Sequence, residues 1–517
     1  MEHSKNNILF VLVCINLVLC GCMTAADTQN KTILNPDGFK HYVDYFNTME
    51  DEGVINYIPN AESWSWMKEN IPFFECPDKD FEQIYYYRWW TYRKHIKQTP
   101  EGFVLTEFIT PVGHAGAYNT ISCALGHHIN EGRWLKNQQY LNEYVLFWFH
   151  GRDGGPQSHF HKFSSWIAYA LYQRYLVNND KEFLIDLLPD LVSDYKKWEQ
   201  ERLLDDGMFW QYDVRDGMEE SISGSRTAKN PRPTINSYMY GNALAISKIA
   251  EMAGEKEIAV EFQNKASRLK ELTQNNLWDS EAKFFKARSE NGSLSDAREE
   301  IGFIPWYFNM PDPGFEQAWT QVLDPNGFKA PCGLTTAERR HPKFRSHGVG
   351  TCEWDGAVWP FATTQTLVGM ANLLRNCNQT YVSSKDYFDA LLMYAKEHHK
   401  NGKPYIGEYH DEINCTWLKG DNPRSRYYNH SCFCDLVISG LVGLRLRDDY
   451  AIVVHPLVPT DTWEWFALDN VYYHGKLVTI LWDKTGEKYK RGKGLSVFVD
   501  GSLTAHSTIL ERIEGKL

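Results

Sequence analysis

Residues 235–278 read INSYMYGNALAISKIAEMAGEKEIAVEFQNKASRLKELTQNNLW. The first part, 235–253, carries small and apolar side chains around most of a helical wheel. The second, 256–278, alternates Lys and Glu with Ala, Phe and Leu at helical spacing, so one face is charged. A helix that is apolar all round belongs inside a protein, and one with a single charged face belongs outside. Gly254 is a natural stop between them. The pair therefore reads as an inner helix followed, after a tight turn, by an outer one. Working outward, the same periodicity gives twelve candidate helices between 81 and 447. They fall at 81–98, 115–132, 135–150, 164–179, 181–204, 235–253, 256–278, 300–308, 315–323, 355–375, 383–400 and 428–447. Pro189 is expected to kink or split the fifth. Odd members have charged faces and even members are richer in small and apolar residues. Gaps after odd members are mostly long, glycine-rich and polar; those after even members are short. Antiparallel packing then brings every long gap to one end, which is how a scaffold presents a site. Six such hairpins make a mainly α (α/α)6 toroid over 81–447. An open solenoid is the alternative, but the gaps differ in length and no period repeats.

After 447 the pattern turns β-rich, at 451–458, 470–482 and 495–499. This predicts a small C-terminal antiparallel β domain, 448–517, that needs the barrel face for stability. Residues 22–80 read as a tether followed by a wrapping segment with Trp64, Trp66, Pro72 and Pro77. At the start, Lys5 precedes an apolar run, 8–19, too short for a permanent span. It ends in Leu19-Cys20-Gly21-Cys22, which resembles a bacterial lipobox. That implies a leader over 1–21, lipidation of Cys22, and a mature protein at the bacterial cell envelope, on its periplasmic face or surface. The membrane is then met through an N-terminal lipid anchor only.

Composition narrows the function classes. Of 517 residues, 43% are hydrophobic, enough for a large core. The net charge is -12 with no basic stripe, which argues against nucleic acid. The 18 Trp, 29 Tyr and 27 Phe mostly fill core, but Trp354 and Tyr409 lie in polar loops, where aromatic faces suit stacking on sugars. Cysteines beyond the leader are scattered without a disulfide framework or zinc spacing, and Cys123 and Cys432 read as buried small hydrophobes. His159 and His161 lack a third ligand nearby. No metal and no cofactor is expected.

Two segments carry candidate chemistry. The first, Tyr212-Asp213-Val214-Arg215-Asp216-Gly217-Met218-Glu219-Glu220-Ser221, crowds carboxylates that repel one another. Such crowding raises the pKa of at least one, as a general acid needs. The second, Tyr405-Ile406-Gly407-Glu408-Tyr409-His410-Asp411-Glu412, sets an acid between aromatics. Alone, each is equally readable as a solvated acidic loop or a surface turn. Both leave the barrel at the same end, and glycoside hydrolysis needs two carboxyls across one bond.

At these residues the chain resembles the (α/α)6 glycosidases of family 63, the related mannosylglycerate hydrolases and the trehalases. Asp216-Gly217-Met218-Glu219-Glu220-Ser221 is similar to their Gly-Met/Trp-Asp-x-Ser motif, whose acid is the proton donor. The resemblance implies Glu219 in that role, with Glu in place of the usual Asp and with Asp216 and Glu220 as rivals. Glu408-Tyr409-His410-Asp411 is similar to their Glu-Tyr-Tyr-Asp stretch, which implies Glu408 as general base. Trp354-Asp355-Gly356-Ala357-Val358-Trp359-Pro360 resembles Trp-Arg-Gly-Pro-Val-Trp, a lining of the sugar pocket, with Asp355 replacing Arg. The stretch 111–119, with His114, Tyr118 and Asn119, lies where those enzymes carry a Trp-Asp-x-x-Phe sugar-binding motif. Gln157-Ser158-His159-Phe160-His161 lies where they carry Gln-Pro-Pro, and Arg215 is a further candidate contact. The implied function is an exo-acting, inverting α-glycosidase of oligo- or polysaccharides. Two alternatives stay open. One is a uronic-acid polysaccharide lyase using some of His114, Tyr118, Asn119, Arg152, Arg215 and Arg226. The other is a glycan-binding lipoprotein without catalysis.

Overall fold

The computed structural model describes residues 32–348 and 352–517. The segment read as a leader and lipobox, with Cys22, lies outside the described residues.

Apart from a single helical turn at Asp213–Asp216, the α-helices in chain order are α1 (Lys40–Thr48), α2 (Ser63–Asn70), α3 (Lys79–His95), α4 (Leu125–Gly132), α5 (Gln139–His150), α6 (Ile167–Asn178), α7 (Lys181–Asp186), α8 (Leu188–Arg202), α9 (Pro233–Ala253), α10 (Lys256–Leu277), α11 (Ile304–Tyr307), α12 (Thr320–Leu323), α13 (Pro360–Asn376), α14 (Ser384–Glu397) and α15 (Phe433–Asp435), the last continued by a π-helical turn, Leu436–Val442. Contacts close a ring: α4 meets α6, α6 meets α9, α9 meets α11, α11 meets α13, α13 meets the π turn, and α15 meets α4. Outer helices flank this ring, α8 and α10 on α9 and α14 on α13. The architecture is a mainly α (α/α)6 toroid with a small C-terminal antiparallel sheet.

Local chemistry explains several boundaries. Pro189 sits in the first turn of α8 and breaks the run from α7 at Leu187. Gly254 ends α9 in the left-handed region at φ 81°. Ser383 and Asp386 form a reciprocal capping box on α14.

Five expectations need correction. The helix read over 115–132 is regular only from Leu125, because Gly116 and Asn119 adopt positive φ and hold 113–120 as loop. The helix read over 428–447 is short and ends at Gly443, φ 86°. The strand read over 470–482 is a hairpin turning at His474 and Gly475, both with positive φ. The first helix, read as outer with a charged face, is buried along nearly its whole length. The wrapping segment covers it: Tyr42 stacks on Tyr86, and Phe46 packs on Tyr87 and Trp90. Its cations are satisfied internally, Arg88 on the Ser431 carbonyl at 2.9 Å and Lys94 on Glu52 at 3.1 Å. Finally, Cys332 and Cys415 form a disulfide across 83 positions, with Cα atoms 5.3 Å apart. Their partnership is made by folding and has no local spacing to announce it.

The β region contributes β4 (Leu444–Arg445), β5 (Ala451–Val454), β6 (Trp465–Tyr473), β7 (Lys476–Asp483), β8 (Gly494–Val499), β9 (Ser502–Ser507) and β10 (Ile513–Lys516), after β1 (Phe73–Glu75), β2 (Ile96–Thr99) and β3 (Gly102–Leu105) from the N-terminal half. The main sheet is antiparallel with order β1-β6-β7-β8-β9, so the wrapping segment supplies an edge strand. The β region as a whole is seated at the C-terminal ends of inner helices. His474 donates its N–H to the Val177 carbonyl at the end of α6, and Arg375 at the end of α13 donates to the His455 carbonyl. The opposite end of the ring is left to the long connections.

Candidate active site

A cavity of about 230 Å³ opens at that opposite end. Its wall draws on five of the six long gaps between outer and inner helices. Glu107, His114 and Cys123 come from 96–124, Lys162 from 151–166, and Arg215 and Glu219 from 203–232. Cys352, Trp354 and Trp359 come from 324–359, and Glu408, Arg424, Tyr428 and His430 from 398–432.

Glu219 sits on a loop braced from both sides. Asp216 is fully buried and bonded to Arg232 at 2.7 Å, to Ser164 at 2.6 Å and to Thr234. The same Arg232 donates to the Ser221 hydroxyl at 3.2 Å, so one guanidinium holds both flanks of Glu219. Asp213 accepts from the Val214 and Glu220 amides at 2.7 and 3.2 Å. From the gap at 278–303, Glu299 accepts from the Ser223 amide at 3.2 Å. Gly217 has φ 71°, and a Cβ there would lie 2.4 Å from the Cys123 sulfur. Burial pushes the Glu219 carboxyl up to about 7, with the nearby Glu408 and Asp213 charges adding to the shift.

Glu408 is 4% exposed and ion-paired. Arg424 lies 3.1 Å from both carboxylate oxygens and Lys419 3.5 Å from one. Its loop is tied down on several sides. His410 pairs with Val358 in a β-bridge and reaches Glu397 at 3.1 Å. Arg345 gathers Glu353, Asp411 and Glu412, and the Cys332–Cys415 disulfide joins this loop to the preceding gap. Trp354 stacks on Trp359 at 4.4 Å, and Trp359 on Tyr409 at 4.5 Å, which gives the cavity one aromatic wall.

Of the residues singled out from sequence, Glu219, Glu408, His114, Arg215, Trp354 and Trp359 line this cavity. The others do not. Asp216 belongs to the buried brace just described, because an unpaired carboxylate at that depth would be costly. Glu220 turns away at φ 70° toward Arg226, 3.9 Å off. Asn119 spends its amide on the Phe108 and Thr110 carbonyls and on the Val112 amide, stapling its own loop. Tyr118 packs edge-on against Phe147. Gln157 turns the chain, its amide on the Trp148 carbonyl. His159 packs on Trp148, and His161 stacks on Trp198 between Asp194 and Glu201. Asp355 is buried and accepts from His347 at 2.9 Å. Tyr409 stands behind Trp359.

Sequence reasoning missed Glu107, Lys162, Arg424, Tyr428 and His430. Glu107 is buried, and burial, aided by the Glu408 and Glu219 charges, raises its carboxyl to about 8. One signal was available: Glu107 is a lone acid inside the apolar run 103–109 (FVLTEFI). His430 is buried with no aligned partner for either ring nitrogen, and burial, with the nearby His127 and Arg88 charges adding, holds its imidazole well below the usual value and so neutral. Among the described residues no group of His, Cys, Asp and Glu could hold a metal ion.

Comparison with known proteins adds the family. The solved structure of a protein named as a sialidase is 50% identical over 95% of this chain, with a TM-score of 0.94. This chain spans only 46% of that one. A GH78 family rhamnosidase of Bacillus sp. GL1 matches at 13% identity over 80% of this chain and 40% of its own, with a TM-score of 0.54, a likeness of fold alone. An uncharacterized protein of Borreliella burgdorferi is 22% identical over 293 residues, 54% of this chain and 59% of that protein. Residues 444–504 match the model of the glycosyl hydrolase family 65 C-terminal domain. Residues 117–431, more than half of the chain, match the model of the mannosylglycerate hydrolase MGH1-like glycoside hydrolase domain, and the chain belongs to that family.

Proposed function

We propose that this protein is an exo-acting, inverting glycosidase that removes a terminal sugar from an oligo- or polysaccharide. Glu219 is its general acid and Glu408 its general base. The observation that carries the reading is one small cavity with two glutamates on its wall in opposed surroundings. Glu219 is raised to about 7 by burial, while Glu408 is bracketed by Arg424 and Lys419. Two carboxyls set apart by environment are the signature of divided acid and base roles. Glu219 donates its proton to the glycosidic oxygen as the bond breaks. Glu408 takes a proton from the water that attacks the anomeric carbon from the other face, which inverts its configuration. The volume, below the about 300–1,000 Å³ of drug-sized sites, suits a single sugar ring and hence attack at a chain end. The stacked Trp354 and Trp359 offer the apolar surface that pyranose and furanose faces need. The α anomer is carried over from the resemblance. A lipid anchor at Cys22, holding the enzyme at the bacterial envelope, is part of the same proposal.

The test is a screen of oligosaccharides, sialylated ones included because of the relative's name, with the product anomer followed by proton NMR. Release of one terminal sugar with inverted configuration is expected. Internal cleavage, retained configuration or an unsaturated uronate product overturns the reading.

A further inference from the structure

The cavity lies at the N-terminal ends of the inner helices and the β region at their C-terminal ends. The main sheet turns one face to the barrel. Phe466, Leu468, Ile480 and Val497 join the central core from that face. Side chains between them point the other way. Ala467, Leu481 and Phe498 make a separate small cluster on the outer face, and Ile33, Leu34 and Tyr489 pack on it. The tether is pinned there: the Ile33 and Leu34 amides donate to Asp469 at 2.6 and 2.7 Å. Asp469 is buried and also accepts from the Thr479 hydroxyl at 2.6 Å. The chain from Cys22 therefore joins the fold at the end opposite the cavity. Ten positions separate Cys22 from Thr32, a reach of at most about 36 Å. The cavity end is further from the sheet by the length of α13, 17 residues or about 25 Å.

The loop beside that root is basic in an acidic protein. The chain has a net charge of -12, yet 484–493 (KTGEKYKRGK), between β7 and β8, has five cations and a single acid, Glu487. Its shape is fixed by contacts. Asp483 is buried and accepts the Gly486 and Tyr489 amides at 2.8 and 2.9 Å, and Tyr489 donates its hydroxyl to Glu75 at 3.1 Å. Lys484 answers Asp461 and Glu464, and Lys488 answers Glu75. Lys490, Arg491 and Lys493 are exposed, and none has a carboxylate within ion-pair distance among the described residues. Tyr489 packs in the cluster that holds Ile33 and Leu34, so these three cations stand beside the tether root. Unpaired cations crowded on one exposed turn complement a negatively charged surface. Resting on the lipid anchor at Cys22 proposed above, we propose that this face docks on the anionic phospholipid headgroups of the membrane that carries the anchor. Lys490, Arg491 and Lys493 make the contact, and the cavity is held facing away from the bilayer, open to saccharides in solution.

The experiment first separates the loop from the lipid. The mature chain from Cys22 is made without its leader, so that no acyl chain is attached. It is sedimented with vesicles of phosphatidylcholine alone or with about 30% phosphatidylglycerol. A cation near an anionic leaflet is worth about fivefold in binding, so three opposed by Glu487 predict about 30-fold preference for the anionic vesicles at low salt. High salt should abolish it. Lys490→Ser/Arg491→Ser/Lys493→Ser should lose it at an unchanged melting temperature. Lys256→Ser/Arg268→Ser/Lys385→Ser, which removes equal charge from the outer helices, should keep it. Lysine acetylation of the lipidated protein on the same anionic vesicles, read by mass spectrometry, should spare Lys490 and Lys493. Lys162 at the cavity should stay as reactive as in solution. Equal partition on both vesicles, binding to neither, a preference that survives the loop variant or is lost equally in the helix variant, or protection of Lys162 instead overturns the proposal. So does retention by dextran sulfate without vesicle binding, which gives the loop another polyanion. Metabolic labelling with palmitate tests the anchor by itself. An unlabelled Cys22 in a chain that still prefers anionic vesicles removes the lipid and leaves the docking face standing.

Discussion

Glu219 and Glu408 have different tasks, and the difference is measurable. A general acid must hold its proton until the bond breaks. With Glu219 raised to about 7, turnover is expected to fall as pH climbs through that value, because the donor is then ionised. Glu219→Gln should lose about 10²–10⁴-fold in kcat/KM on natural linkages and flatten this basic limb. It should lose far less on a dinitrophenyl glycoside, whose leaving group needs no proton. Glu408→Gln should lose activity on both substrates alike. A Glu219→Gln enzyme with an unaltered pH profile would assign the proton to another group, and Glu107, raised to about 8, is the neighbour to test next. Burial also gives stability a sign. Glu107 and Glu300 are both raised to about 8 by burial, so the folded state binds more protons than the unfolded one between about pH 4.5 and 8. Their contribution is fully present at the acid end and is lost as pH rises through 8. Glu300→Gln should therefore narrow the difference in melting temperature between pH 5 and pH 8.5.

The loops around these residues are elements with their own stability. In the acid loop, Gly217 is required twice over: its φ of 71° suits only residues tolerant of the left-handed region, and Cys123 fills the space of a Cβ. Gly217→Ala is expected to displace Glu219 and cut kcat while α-helical content stays intact. Adding Cys123→Ala should restore part of the activity by removing the clash and leaving only the cost in φ. The base loop is held by the Cys332–Cys415 disulfide, and Cys415→Ser should lower stability by about 2–4 kcal/mol in urea melts. At this scale one sees why sequence reading succeeded and failed where it did. Helix α9 and its partner α10 were legible because their apolar pattern has a fixed period and a glycine stop. Glu219 and Glu408 were legible as local motifs. Asn119, His161 and Asp355 carry the right chemistry for a sugar, but tertiary contacts consume it. Lys162 and Arg424 lie in no motif, and only the meeting of five separate gaps makes them neighbours of a site.

Ring closure belongs to the whole molecule. A toroid must join its last inner segment to its first, and here the seam is polar and buried. Asp435 accepts from Arg133 at 2.6 Å and from the Trp134 indole at 2.7 Å. In return, Glu131 accepts the amides of Cys434 and Asp435 at 3.0 and 2.9 Å. More than 300 positions separate the partners, so no local propensity forms this seam, and its ordering comes late in any assembly from the N-terminus. Asp435→Ala strands Arg133 without a counter-charge where its side chain is only 5% exposed. Breaking one half of such a pair costs about 3–5 kcal/mol, whereas replacing both halves with apolar groups of similar size is often close to neutral. Urea denaturation should therefore rank Asp435→Ala well below the double variant Arg133→Met/Asp435→Leu. The double variant should also keep the cavity at the far end and its turnover, because that end is braced separately through Arg232, Arg345 and the disulfide. If both variants instead lose turnover to the same degree while melting differently, the seam and the cavity are one cooperative unit, and the charge at Asp435 bears on the site itself.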